Sequence, residues 1–323
     1  KQSMTDVLAE NKQVILFQNR RGYHPYILCA SCGYIPQCIH CDVSLTLHKF
    51  SHKLHCHYCG SQYSQPVTCI CCGASNWTEK NFGTEKVEEQ LEADFSGSKI
   101  ARMDIDSVRG KHAHDILIQQ FERQELDILI GTQMVVKGLD FDKVKLVGIL
   151  DADALWSFAD FRAHERAFQL MEQVSGRAGR KGEVGLVLVQ ALNIKHPVLH
   201  WVQQHDYTSF YENEIASRQT FAYPPFSRLI KLTLKHADKN LLQNTSASLA
   251  NSLKQDFKDF IVGPAKSAIA RIRNQYQEEI LIKIPKPVFH PIQTKRAIQY
   301  HIDNLRLDKK CRSGRIIADV DPY

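Results

Sequence analysis

A dense island of cysteines constrains this chain more than any other feature of its 323 residues. Nine of its ten cysteines lie between Cys29 and Cys72. Eight of them form four C-x-x-C pairs, and three of those pairs are followed directly by glycine. Such a turn aims two thiolates at one metal ion, and two pairs complete a tetrahedral site. The island therefore predicts two structural Zn²⁺ ions in a reducing compartment rather than a disulfide framework.

The spacing of the pairs favours a nested arrangement. Fourteen residues separate Cys41 from Cys56, which is enough for a β-hairpin and close to common zinc spacings. A sequential pairing would leave five residues between Cys32 and Cys38, which is cramped, whereas an interleaved pairing stays open. Cys71 could replace a neighbour as a ligand. The nested prediction gives one zinc to Cys29, Cys32, Cys69 and Cys72, and the other to Cys38, Cys41, Cys56 and Cys59.

Two interpretations of the island remain. The simpler one is a metal-stapled surface module that is too small for its own hydrophobic core. The other adds a contact with protein or DNA. Catalytic zinc would need an open coordination position, and eight cysteines leave none.

The rest of the chain predicts an α/β fold followed by an α+β domain. Strand-like and helix-like segments alternate around the island, and this order is typical of a parallel sheet covered by helices. After the punctuation "AYPPF", the order becomes β-α-β-β-α-β, the ferredoxin-like arrangement, with "NQYQ" (274–277) as the predicted hairpin turn. We expect an α/β lobe at 1–28 and 73–190, a zinc-binding insertion at 29–72, a helical connector at 191–219 and a C-terminal α+β domain at 220–323.

Two segments carry residues suited to phosphate chemistry. "GTQMVVKGLDF" (131–141) follows the predicted strand "DILI", and "QVSGRAGR" (173–180) follows a helical stretch. Arg177 and Arg180 suit the charge that develops on a transferring phosphate, and the small residues between them allow close approach. Because α/β sheets bind ligands at the carboxyl ends of their strands, we expect both segments at that edge. The simpler interpretation is two solvated arginines at a helix end.

These segments resemble motifs V and VI of superfamily 2 helicases. With "VILFQNRRGY", the four cysteine pairs, "FGTEKVEEQL", "DADALWSFADFRAHERAFQL", "YPPF" and "GPAKSAIARIRNQYQ", the order resembles the C-terminal portion of the PriA family of primosomal replication-restart helicases. The resemblance covers essentially the whole chain. It implies a second RecA-like lobe with a zinc-binding insertion, followed by a C-terminal domain.

The resemblance also implies roles for individual residues. The predicted catalytic set is Gln173, Arg177 and Arg180, the predicted nucleotide contacts are Gly138 and Asp140, and the predicted DNA contacts are Thr132, Arg20 and Arg21. For Thr132 the simpler interpretation is a strand-end cap, and for the last two it is ordinary surface arginines. Gln277 stands where the family often has arginine, which weakens any prediction of a DNA or partner contact by the hairpin turn.

No phosphate-binding loop of the form G-x-x-x-x-G-K-[ST] and no D-E-x-[HD] sequence occurs in the chain. Arginine fingers without a phosphate cradle predict that ATP and Mg²⁺ are held by a first lobe outside this chain, which alone should be inactive. The resemblance implies a cytoplasmic, monomeric, 3′-to-5′ DNA helicase acting at forks with single-stranded-DNA-binding protein and other primosome proteins. The alternative is a non-catalytic zinc-containing DNA or protein adaptor. A net charge of +6 permits a polyanionic partner, and no apolar run approaches the ~20 residues of a membrane span.

Overall fold

The computed structural model describes residues 1–18, 26–48, 53–80, 84–103, 113–132, 141–157, 160–179, 184–286, 290–308 and 310–322. The helices are α1 Gln2–Ala9, α2 Thr84–Asp94, α3 Ala113–Glu122, α4 Asp153–Trp156, α5 Ala163–Ser175, α6 Pro197–Gln203, α7 Tyr207–Thr220, α8 Lys239–Phe257 and α9 Pro291–Leu307. The strands are β1 Gln13–Gln18, β2 Tyr26–Cys29, β3 Thr46–His48, β4 Lys53–His55, β5 Gln62–Ser64, β6 Trp77–Lys80, β7 Ile100–Met103, β8 Ile128–Gly131, β9 Val144–Leu150, β10 Leu186–Val189, β11 Ser227–His236, β12 Ile261–Ile272, β13 Gln275–Pro285 and β14 Arg315–Val320. None of the helices in these ranges is both long and apolar enough to cross a membrane.

The chain divides into two compact units. The first, the parallel-sheet unit, comprises Lys1–Pro25 and Lys80–Glu214, and the second, the zinc-module unit, comprises Tyr26–Glu79 and Ile215–Tyr323. The cysteine island therefore belongs to the same compact unit as the C-terminal residues, although in sequence it interrupts the first unit.

A five-stranded parallel sheet in the order β10-β9-β1-β8-β7 forms the centre of the parallel-sheet unit. All six residues of β1 are buried, as expected for a central strand covered on both faces. Met4 and Leu91, from α1 and α2, pack on one face of the sheet. Phe121 and Phe168, from α3 and α5, pack on the other. The predicted parallel α/β sandwich is confirmed.

The parallel topology decides where the motifs lie. Because neighbouring strands run the same way, each connection returns the chain from the carboxyl edge of the sheet to the amino edge. Helix α5 makes one of these returns between β9 and β10. Beyond its last residue, the amide of Gly179 donates a 3.1 Å hydrogen bond to the carbonyl of Val144, at the start of β9.

The cysteine island forms short strands and turns. Strands β3, β4 and β5 make a three-stranded antiparallel sheet, and β2 pairs with β6. The hairpin predicted between Cys41 and Cys56 is β3–β4. A small cluster of buried residues holds these strands together, and it includes Ile27 and Leu54 together with three cysteines.

The C-terminal residues form a four-stranded antiparallel sheet in the order β12-β13-β11-β14. With α8 after β11 and α9 after β13, this is the predicted ferredoxin-like order. Leu249 and Leu253 of α8 and Ile298 of α9 pack against the buried isoleucines of β13. The predicted hairpin turn at 274–277 is wrong in position: the loop between β12 and β13 is Arg273–Asn274, and residues 275–277 already belong to β13.

The core of the C-terminal domain can be tested with two matched leucines. Leu249 is 0% exposed and Leu307 is 80% exposed. We predict that Leu249→Ala lowers the free energy of unfolding by about 2–5 kcal/mol, because it removes buried methyl groups and leaves a cavity. Leu307→Ala should change it by no more than about 0.5 kcal/mol. Urea denaturation of both variants measures the difference, and equal effects would contradict this packing.

Candidate functional site

Three of the four C-x-x-C pairs share one turn geometry. Gly33, Gly60 and Gly73 follow these pairs and have φ values of +73°, +81° and +75°. Each glycine amide donates to the carbonyl of the first cysteine of its pair, at 2.8, 2.9 and 2.8 Å respectively. Glycine takes positive φ at little steric cost, so the sequence C-x-x-C-G dictates this turn, hereafter called a knuckle.

The three knuckles and the pair Cys38/Cys41 bring eight thiols together in two clusters in the nested arrangement. The outer cluster is Cys29, Cys32, Cys69 and Cys72, and the inner cluster is Cys38, Cys41, Cys56 and Cys59; in each, the four sulfurs lie within 4.8 Å of one another.

Sulfur distances in the clusters match a tetrahedral metal site. The Sγ–Sγ distances are 3.5 Å for Cys29–Cys72, 3.7 Å for Cys32–Cys69 and 3.6 Å for Cys38–Cys59. Four sulfurs about 2.3 Å from a zinc ion would lie about 3.8 Å apart, whereas a disulfide would bring two of them to about 2.05 Å. The donor set and spacing of both clusters fit structural zinc.

Thiols within one cluster differ in acidity. Burial opposes ionisation of Cys59, but hydrogen bonds with the side chain and backbone of Ser61 outweigh it and lower the pKa of Cys59 to about 6. In the same cluster, burial raises the pKa of Cys56 to about 12. Zinc ligation requires all four groups as thiolates, so binding releases protons and weakens as the pH falls.

Cys71 lies outside both clusters. Its side chain is exposed, and its backbone amide donates to Sγ of Cys69 at 3.4 Å. In this position Cys71 contributes a peptide group to the knuckle, while Cys72 contributes the thiol.

Residues of the predicted motif VI form a fixed turn after α5. The amides of Gly176, Arg177 and Ala178 donate to Glu172, Val174 and Ser175, and Gly179 has a φ of +72°. In this turn Arg177 is half-buried, whereas Gln173, in the last turn of α5, is exposed.

Gly185 is a close-packing position beside motif VI that sequence reasoning missed. A Cβ atom on Gly185 would lie 2.2 Å from the carbonyl carbon of Ala178 and 2.4 Å from the amide nitrogen of Gly179. Only glycine allows the segment entering β10 to pass so close to motif VI. A glycine at the start of the predicted strand "GLVLVQ" was the available signal.

The expectation that both motif segments lie at the carboxyl edge of the sheet is wrong for motif VI. Thr132 does lie there, and its amide donates a 3.4 Å hydrogen bond to the carbonyl of Met103, at the end of β7. Gly179 instead lies at the amino edge, because α5 has carried the chain back across the sheet. The other end of the motif V segment, Phe141, leads into Val144 and so reaches this same amino edge.

Five of the predicted site residues lie outside the described ranges. They are Arg20, Arg21, Gly138, Asp140 and Arg180. The structure therefore positions Gln173 and Arg177 of the predicted catalytic set and Thr132 of the predicted DNA contacts. It does not bring Thr132 together with the other two.

An ionic network at the start of α5 was also missed. Asp160 accepts hydrogen bonds from the backbone and guanidinium of Arg162 and, at 2.9 Å, from Nη1 of Arg166. These contacts lower the pKa of the Asp160 carboxyl group against the opposing effect of burial. The sequence "DFRAHER" contains this alternation of charge, but it does not reveal which arginines pair.

Family models match three successive parts of the chain. Residues 38–63 match the PriA DNA helicase Cys-rich region domain, residues 74–182 match the helicase conserved C-terminal domain, and residues 219–323 match the Primosomal protein N C-terminal domain. The replication restart protein PriA of Bacillus subtilis (strain 168) is 37% identical over 326 residues, covering 100% of this chain and 40% of that protein. The PriA of Treponema pallidum (strain Nichols) is 39% identical over 313 residues, covering 96% of the chain and 46% of that protein.

Along its whole length the chain is similar to PriA replication restart proteins. It matches the C-terminal part of these relatives and spans about two fifths of the length of those first matched. Residues 74–182, which supply most of the parallel sheet, match the helicase conserved C-terminal domain, so the parallel-sheet unit is the predicted RecA-like second lobe. The Cys-rich region model covers only the inner cluster, so it is the structure that adds the outer one.

Zinc content tests the cluster assignment. We predict that Cys56→Ser lowers the metal content of the purified chain from two zinc ions to one, because a three-thiol site binds zinc far more weakly. Cys71→Ser is the matched control and should keep both ions. Elemental analysis measures both variants, and loss of zinc from the Cys71 variant, or none from the Cys56 variant, would contradict the assignment.

Proposed function

We propose that the chain is the C-terminal part of an ATP-dependent DNA helicase that restarts replication. In this proposal it supplies arginine fingers from motif VI, DNA contacts from motif V, and two structural zinc sites. Phosphate binding and the Mg²⁺ ligands belong to a first RecA-like lobe. The match to PriA relatives along the whole chain supports the proposal.

The hydrogen bond from Gly179 to Val144 carries the proposal for motif VI. It brings the turn that contains Arg177 to the start of β9, and Asp140 lies only four residues before Val144 in the chain. Arg177, proposed to meet the phosphate, therefore lies near the edge of the sheet at which β9 begins. A half-buried arginine held by a rigid turn suits charge that develops during phosphoryl transfer, since little reorganisation is then needed.

DNA is the proposed second ligand. Thr132, at the opposite edge of the sheet, is proposed to contact a DNA phosphate, with Arg20 and Arg21 as further contacts. Movement from 3′ to 5′, action at forked DNA as a monomer in the cytoplasm, and assembly with single-stranded-DNA-binding protein and other primosome proteins complete the proposal. The net charge of +6 agrees with a polyanionic ligand.

These 323 residues alone should hydrolyse no ATP. Nothing in their sequence forms a P-loop, and arginine fingers without a phosphate cradle do not hold nucleotide. We expect phosphate release in the presence of single-stranded DNA to equal that of a buffer blank. A DNA-stimulated ATPase activity that co-purifies with the chain would overturn the two-lobe assignment.

Substitutions in the full-length protein separate the two ligands. Arg180→Ala should lower the kcat of DNA-stimulated ATP hydrolysis much more than it weakens DNA binding, because the guanidinium acts on charge that grows in the transition state. Arginine fingers contribute about 10³–10⁵ in rate, and that range is the upper bound here. Thr132→Ala should weaken DNA binding by about 0.5–1.5 kcal/mol, the value of one hydrogen bond.

Arg123 provides the matched arginine control. It is exposed, just beyond α3 in the same unit, and Arg123→Ala should leave ATP hydrolysis and DNA affinity unchanged. Steady-state kinetics and DNA titrations measure all three variants. Full ATPase activity in the Arg180 variant would contradict the proposal and favour the simpler interpretation, in which the motif VI arginines are solvated residues at a helix end.

A further inference from the structure

The tip of the β12–β13 hairpin has an unusual backbone. Arg273 and Asn274 form a two-residue loop between the paired residues Ile272 and Gln275, and their φ values are +52° and +59°. Positive φ at both positions defines a type I′ turn, which normally favours Asn-Gly or Gly-Gly. Arginine in this conformation is uncommon and indicates that contacts outside the turn hold it there.

Those contacts are with the inner cysteine cluster. The backbone amide of Arg273 donates to Sγ of Cys41 at 3.2 Å. Its Nε donates to the carbonyl of Tyr58, between Cys56 and Cys59, at 3.0 Å. The hairpin tip therefore touches both C-x-x-C pairs of the inner cluster.

The pair Cys38/Cys41 differs from the other three because Asp42 follows it where they have glycine. In the glycine knuckles, the corresponding amide closes the turn onto the first cysteine. The amide of Asp42 instead donates to the carbonyl of Arg271 at 2.9 Å. The backbone amide after this pair thus donates to the hairpin, whereas in the three knuckles it donates to the first cysteine of its own pair.

Further contacts join the hairpin to the Cys38/Cys41 pair and its neighbours. Nε of Arg271 lies 2.9 Å from Oδ1 of Asp42, and this ion pair raises the pKa of the guanidinium. The amide of Asn274 donates to the carbonyl of His40 at 2.8 Å. Ile272 packs against the buried cluster of the module. Among the described residues, the hydrogen bonds of the hairpin tip go to the inner pairs and none goes to the outer cluster.

We propose that the β12–β13 hairpin positions the inner zinc site, with Arg271 and Arg273 as the positioning residues. An amide that donates to a thiolate stabilises the charged form of the ligand and fixes its direction, as partners of metal ligands commonly do. The coupling is reciprocal, so zinc in the inner cluster stabilises docking of the hairpin, and docking slows the loss of that zinc. The outer site is independent of the hairpin.

This inference rests on zinc in the inner cluster and not on the proposed motor activity, so either can fail alone. The test is zinc release from the fully loaded chain into excess chelator, followed by alkylation of the freed thiols and mass spectrometry. Alkylation identifies which cluster has lost its metal. Zinc content measured before chelation shows separately whether both sites were filled.

The double substitution Arg271→Ala with Arg273→Gly is the main variant. Glycine adopts positive φ at no steric cost, so the type I′ turn persists while both guanidinium contacts are removed. Without the two guanidinium contacts the hairpin no longer holds the Arg273 amide against Sγ of Cys41. Loss of such a partner of a metal ligand is worth about 10–100-fold in affinity, so we expect inner-site zinc to leave at least about 10-fold faster. Release from the outer site should not change. Arg228→Ala, which breaks the ion pair of Arg228 with Asp321 in the same domain, is the control and should change neither rate.

A rescue distinguishes positioning from general stability. Adding Asp42→Gly to the double variant allows the Cys38/Cys41 knuckle to close its own turn, and this should restore most of the zinc retention. In the unsubstituted chain, chelation of the inner zinc should remove hydrogen-exchange protection from the Arg273 amide while leaving that of α8 intact. Unchanged inner-site release, equal acceleration at both sites, or no rescue by Asp42→Gly would overturn the proposal.

Discussion

Thiolate clusters are the interaction on which the fold of the cysteine island depends. The island has three strands of only three residues each, and its buried cluster contains few large apolar side chains beyond Ile27, Leu45, Leu47 and Leu54. So little apolar burial cannot offset the conformational entropy of ordering the chain. In such modules the free energy of metal binding is the free energy of folding. The surface of the module that contacts the β12–β13 hairpin therefore forms only when the thiols hold the module folded.

Features encoded by neighbouring residues could be predicted from the sequence. The C-x-x-C-G turns follow from the stereochemistry of glycine, and the buried strand β1 from a continuous apolar run. The ferredoxin-like order of the C-terminal domain follows from the succession of helical and alternating patterns. The spacing of the cysteines favours the nested arrangement. It leaves an interleaved arrangement open, because spacing does not fix the direction in which the chain runs between the pairs.

Features that depend on distant contacts could not be predicted in the same way. The Arg271–Asp42 ion pair joins residues 229 positions apart, and nothing local marks either as a partner. The hairpin turn was placed too late because polar residues suggested a loop, whereas the tertiary contacts hold Arg273 at positive φ. The edge assigned to motif VI was a different kind of error. Parallel topology alone requires a helix such as α5 to end at the amino edge, so the correct edge was available from the predicted fold.

The two edges of the parallel sheet give the motif V segment its significance. Its first residues, Gly131 and Thr132, end a strand at the carboxyl edge, and its last, Phe141, enters β9 beside the amide of Gly179. One short segment thus begins at the proposed DNA contact and ends at the proposed nucleotide contact. Under the proposed function, the two ligands therefore meet opposite edges of one sheet, whose buried strands resist small displacements. Motif VI keeps its place at the amino edge only with glycine at position 185, because a Cβ atom there would overlap the backbone of Ala178 and Gly179 and push the turn away from the start of β9.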